Sequence, residues 1–119
     1  MTRRPPEREF HTITEVCELF GIKPHVLRYW ETQVPALAPV KNRQGNRLYR
    51  AKDLELIGLV QRLVKEERYT LEGARTRIDE LRAQGTAGEI AARSLEQAFM
   101  RSLRGELERI LNVLGPEPD

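Results

Sequence analysis

The run Thr12-Ile13-Thr14-Glu15-Val16-Cys17-Glu18-Leu19-Phe20-Gly21-Ile22-Lys23-Pro24-His25-Val26-Leu27-Arg28-Tyr29-Trp30-Glu31 decides the architecture. Thr12 or Thr14 can cap a helix whose first turn carries Glu15 and whose Val16, Leu19 and Phe20 recur at i, i+3 and i+4 on one face. Gly21 stands where a left-handed stop is needed. Pro24, three residues on, suits the first position of a second helix, where a missing amide hydrogen costs nothing. Val26, Leu27 and Trp30 continue that helix until Pro35 forbids extension. So short a connection as Gly21-Ile22-Lys23 forces a large crossing angle and turns the second helix outward, which makes the pair a helix-turn-helix.

Upstream, Phe10-His11-Thr12-Ile13 reads as a short strand, and residues 1–9, with two prolines and no apolar periodicity, read as a flexible arm. Downstream, Ala38-Pro39-Val40-Lys41 and Arg47-Leu48-Tyr49-Arg50 flank the polar loop Asn42-Arg43-Gln44-Gly45-Asn46, the pattern of a β-hairpin wing. From Lys52 the period turns helical: Leu54, Ile57, Val60, Leu63 and Val64 mark a face that ends in the charged run Lys65 to Arg68. Thr70 caps a further helix carrying Leu71, Ala74, Ile78 and Leu81, stopped near Gly85. Thr86 and Glu89 have capping-box spacing, and the long helix they open runs to Leu114, before Gly115-Pro116. On it Leu95, Phe99, Leu103, Leu107, Ile110, Leu111 and Leu114 form a stripe at spacings of three and four. The expected fold is mostly α: a winged helix-turn-helix over 10–84 with its small β-hairpin, a separate assembly helix over 85–114, and a short tail over 115–119.

Composition sets the bounds. A chain of 119 residues holds one modest core, and no stretch offers the roughly 18 to 20 apolar residues that a membrane span needs. The first residues lead into polar sequence rather than an apolar signal core, so cytoplasmic residence is expected. The single cysteine, Cys17, excludes an internal disulfide, and among Val16, Leu19 and Phe20 it reads as a small core residue rather than a metal or redox group. Net charge is only +2, but its distribution is uneven. Between Phe20 and Arg50 stand Lys23, Arg28, Lys41, Arg43, Arg47 and Arg50 against the one acid Glu31, whereas acids outnumber bases from Gln84 onward. A basic segment beside a neutral-to-acidic one suits a polyanion-binding face joined to an assembly element; a solvated charged surface is the plainer alternative.

With Leu27-Arg28-Tyr29-Trp30-Glu31, preceded by Thr12-Ile13-Thr14-Glu15-Val16 and Gly21-Ile22, the chain resembles the DNA-binding domain of the MerR family of transcription regulators. Gly45-Asn46-Arg47-Leu48-Tyr49 resembles that family's wing signature, and Tyr69-Thr70-Leu71-Glu72-Gly73-Ala74 the start of its fourth helix, so the likeness covers about Phe10 to Leu81. Two positions depart from the pattern: Lys23 replaces the usual serine or threonine before the second helix, and Asn46 stands where the wing commonly has tyrosine. The resemblance implies a homodimer paired through an antiparallel coiled coil of the last helix, for which the Leu95 to Leu114 stripe gives independent grounds. A last helix folded back on its own domain is the alternative.

Site residues follow from this frame. On the second helix Lys23, His25, Arg28 and Tyr29 are candidates for the major groove, Arg28 through its bidentate fork to a guanine edge or a phosphate. The alternative for Arg28 is an ion pair with Glu31 at i+3, and for His25 an ordinary surface position. Trp30 either anchors the core or lays its ring edge toward the sugar-phosphate backbone, as the resemblance favours. In the wing Lys41, Asn42, Arg43 and Arg47 are placed to grip backbone or minor groove. Tyr49 matches a family position whose hydroxyl usually meets phosphate, with a half-buried strand aromatic as the alternative. No phosphate-cradling Gly-rich loop, His-Glu-x-x-His pair or nucleophile-base set is present, so neither catalysis nor a cofactor or metal is expected. The expectation is a bacterial-type regulator that binds an inverted-repeat site on double-stranded DNA, at the nucleoid, without a built-in small-molecule sensor. RNA polymerase is a further candidate partner. An architectural or excisionase-like DNA-bending protein is the alternative, and a protein-interaction module the third reading.

Overall fold

The computed structural model of the chain describes residues 9–115; the expected arm and tail lie, but for their innermost residues, outside these. Helix α1 (Ile13–Phe20) starts because Thr12 is extended and its hydroxyl accepts the Glu15 amide at 3.2 Å, while the Glu15 carboxylate takes the Thr12 amide at 2.9 Å. That reciprocal box satisfies two donors no helix can satisfy itself. Gly21, at φ 67°, adopts the left-handed stop and returns its amide to Cys17 O at 2.8 Å. Helix α2 (Pro24–Gln33) opens on Pro24, and Lys23 precedes it without any side-chain cap.

The hairpin forms with shorter strands than expected, β2 (Val40–Lys41) and β3 (Arg47–Tyr49). Strand β1 (His11–Thr12) adds to its other side, giving an antiparallel sheet of order β1-β3-β2 with His11 opposite Tyr49 and Val40 opposite Leu48. Ile13 has already entered α1 and Arg50 already precedes α3, which is what trims the strands.

Helix α3 (Ala51–Gln61) is enclosed by the rest of the domain: Leu54, Ile57, Leu59 and Val60 are all buried. A π-helical turn (Arg62–Glu66) extends it, closing on the bond from the Glu67 amide to Arg62 O. Helix α4 (Leu71–Gln84) is capped by the Thr70 hydroxyl at 3.0 Å from the Gly73 amide and ended by left-handed Gly85. Helix α5 (Ala87–Leu114) starts without the expected capping box, because the Thr86 hydroxyl is turned back onto Leu81 O at the end of α4.

The two halves of α5 do different work. Ala91, Ser94, Leu95 and Ala98 are buried against the core, and α5 approaches α3 at Gly58, where an added Cβ would lie 3.2 Å from the Leu95 nitrogen and the Ser94 carbonyl carbon. Leu95, expected on a dimer seam, is therefore a core residue, and Phe99 packs at the core's edge. The expected boundary between residues 84 and 85 thus falls inside one packed unit, since the first turns of α5 complete the core of the domain. Beyond Phe99 the same stripe is uncovered: Leu103, Leu107, Ile110, Leu111 and Leu114 are exposed. No helix among the described residues is long and apolar enough to cross a membrane.

Candidate nucleic-acid interface

Helix α2 is divided lengthwise. Leu27 and Trp30 face inward and Val34 closes its end in the core, while Lys23, His25, Arg28 and Tyr29 are exposed on the outward side. Tyr29, at 57% exposed, is a large aromatic ring that the core does not use. Trp30 takes the other side. At 5% exposed it anchors α2 to the core.

The wing tip is a turn organised by one side chain. The Asn42 Oδ1 accepts the amides of Gln44 at 3.0 Å and Asn46 at 2.9 Å, the Asn42 amide bonds Asn46 O, and Gly45 at φ 84° supplies the left-handed residue the turn requires. The Asn42 side-chain oxygen is thereby engaged by its own loop, which carries exposed Arg43 beside exposed Lys41.

Wing and helix are locked together by Glu31. Its Oε1 accepts from Arg47 Nε at 2.7 Å and its Oε2 accepts from the Tyr49 hydroxyl at 2.5 Å, with the carboxylate side chain 9% exposed. The bond from Glu31 raises the Arg47 guanidinium further above its ordinary range. Burial, with the same carboxylate behind it, pushes the Tyr49 phenol far above its ordinary value and keeps it protonated. Tyr49 is completely buried, so its hydroxyl serves Glu31 and not a phosphate. Arg47 gives its Nε to the same lock while 30% of its side chain stays exposed. Glu31 lies outside the expected functional residues, since the sequence offers it only as a partner for Arg28. Its signal is its isolation: one acid among six bases between Phe20 and Arg50 has several nearby cations to pair with.

The residues left outward are thus Lys23, His25, Arg28 and Tyr29 on α2 and Lys41 and Arg43 on the wing, two groups fixed relative to each other by a nearly buried carboxylate. Cationic forks and point charges on rigid elements can bind a polyanion and, on a helix, address base edges. Among the described residues no three His, Cys, Asp or Glu side chains gather in a way that would hold a metal ion. A family model described as MerR HTH family regulatory protein matches residues 11–81 of the chain. Neither a curated protein nor a solved structure matches it.

Proposed function

The chain belongs to the MerR family of helix-turn-helix regulatory proteins, and on that premise we propose that it binds double-stranded DNA with sequence specificity as a homodimer. Helix α2 enters the major groove and the wing grips the flanking backbone. The observation that carries this reading is the lengthwise division of α2, whose apolar side is spent in the core while Lys23, His25, Arg28 and Tyr29 face outward beside Lys41 and Arg43 of the wing. A helix presenting such a face fits the major groove, where the donor and acceptor code is unambiguous.

The second element of the proposal is pairing through the projecting half of α5. Leu103, Leu107, Ile110, Leu111 and Leu114 form an exposed apolar face on a helix that carries charges elsewhere, and an antiparallel partner helix would cover it. Two reading heads related by a two-fold axis call for an inverted repeat.

Selection of bound duplexes from a random library, with affinities then measured at two salt concentrations, tests the proposal. Enrichment of an inverted repeat is expected. Arg28→Ala should lose about 1 to 3 kcal/mol of discrimination at one position of each half-site, whereas Arg43→Ala should weaken binding to all sequences and lower the salt slope by about one. Failure to bind any duplex at low salt would reject the reading.

A further inference from the structure

The end of α1 is held by an element far from it in the chain. Gly21 and Ile22 both return their amides to Cys17 O, and Phe20 O, one of the carbonyls a helix leaves unpaired at its end, is met instead by Gln61 Nε2 at 2.6 Å. Gln61 is the last residue of α3 and is buried. The other end of its amide, Oε1, accepts from Arg101 Nη2 at 3.0 Å, and Arg101 Nη1 reaches Glu66 Oε2 on the π-helical turn at 3.4 Å. Arg101 stands between Ala98, the last buried residue of α5, and Leu103, where the exposed stripe begins. It therefore sits where α5 leaves the domain, and through one buried amide it touches the corner from which α2 departs.

The geometry points to Arg101 and Gln61 as positioning residues that fix the angle at which α5 projects from the helix-turn-helix, and with it the separation of the two reading heads; this rests on the reading of α5 as the pairing helix. The Arg101–Glu66 pair is about half exposed at each end, 49% and 50%, so in water it adds little on its own. What Arg101 supplies is direction, because its planar fork meets the fixed oxygen of a buried amide. The lever is long. From Arg101 to Leu114 α5 runs about 20 Å at about 1.5 Å per residue. A tilt of about 10° then moves its far end by about 3.5 Å, close to one base-pair step. A pair of loosely held helices would accept half-sites one step nearer or farther.

Arg101→Met tests this without opening a void, since it keeps most of the aliphatic stem and the position borders an open groove with Glu66, Arg93, Glu96, Gln97 and Met100. Nitroxide labels at Gln33→Cys on α2 and Arg109→Cys on α5, in full-length protein diluted with unlabelled protein and without DNA, report the angle within one chain. The parent should give one narrow distance distribution. Arg101→Met should at least double its width while the thermal midpoint moves by only a few degrees, and Gln61→Met should broaden it as well. An unchanged width overturns the proposal. On inverted repeats with the spacer varied by one base pair at a time, the parent should prefer one spacing by about tenfold and Arg101→Met by less than about threefold. A broadened distribution with the parent's spacing preference intact overturns the positioning role. Broadening with a parent that shows no spacing preference supports the latch and rejects the pairing reading instead.

Discussion

Replacing Glu31 by glutamine keeps the shape of the side chain and removes the charge that joins α2 to the wing. In the parent, one carboxylate accepts two hydrogen bonds, from Arg47 at 2.7 Å and Tyr49 at 2.5 Å. Glutamine offers one carbonyl oxygen to two donors and turns an amide N–H toward the other. A hydrogen bond to a charged group contributes about 1.5 to 3 kcal/mol, and breaking a buried ion pair from one side costs about 3 to 5 kcal/mol. Because Arg47 keeps 30% of its side chain in water and can resolvate, the lower part of that range applies. A loss near 3 kcal/mol is expected. For a domain of this size that lowers the thermal midpoint by roughly 10 °C. DNA binding should change in two directions at once. Affinity for random duplex should rise, because a negative charge is gone and Arg47 is released to meet phosphate, while discrimination between specific and random duplex should fall, because the wing no longer has a fixed place beside α2. Differential scanning calorimetry and paired affinity measurements read both effects, and a cycle with Arg47→Met isolates the coupling. A midpoint within about 2 °C of the parent, or a coupling energy under about 0.5 kcal/mol, would refute the account of Glu31 as the lock.

Gly58→Ala should destabilise by about 1 kcal/mol in urea titration: helix propensity favours alanine by up to about 1 kcal/mol, but the new Cβ meets backbone of α5 at 3.2 Å, and overpacking of that kind costs about 1 to 3 kcal/mol; a more stable variant would show that α5 can yield. Burial raises the Cys17 thiol, and burial with the Glu31 bond raises the Tyr49 phenol, so the folded state holds protons that the unfolded state releases. Stability from these groups is fully present below their ordinary values, 9.0 and 10.0, and is lost as pH rises above them toward the raised folded-state values, at up to about 1.4 kcal/mol per pH unit for each group. Tyr49→Phe should flatten the decline above about pH 10, and a decline as steep as the parent's there would contradict the assignment. Leu103→Asp with Leu107→Asp should give a monomer by sedimentation with its circular dichroism largely kept, since both side chains are exposed in the single chain; a double variant that remains dimeric would reject pairing through α5.

Local signals in the sequence carried most of the secondary structure. Threonine caps, left-handed glycines and Pro24 bounded α1, α2 and α4 because capping chemistry acts within four residues. Thr86 failed the same test: its hydroxyl had a competing acceptor, Leu81 O, five residues back at the end of another helix. The β1 strand needed β3 beside it, and only the fold reveals that Phe10 to Ile13 contributes two residues to a sheet before α1 begins.

The candidate site was legible where exposure follows from helical phase and illegible where it depends on a distant partner. Arg28 and Trp30 are two residues apart, so the phase of α2 puts them on opposite sides once Leu27 is known to be inside. Nothing local tells that Tyr49, on a two-faced strand, meets a carboxylate eighteen residues earlier. The α5 stripe makes the limit sharper. Leu95 and Leu103 belong to one stripe spaced by threes and fours, with the same residue type, yet one is 5% and the other 38% exposed. Periodicity identifies an apolar face but not what covers it. What separates the two leucines is Gly58 on α3, whose missing side chain lets α5 lie against the core at Leu95 and Ser94; past Ala98 no described residue of α5 is buried, and the helix projects. An apolar stripe on such a helix therefore has to be read in two segments, and only the one that the domain's own core leaves uncovered is open to a partner.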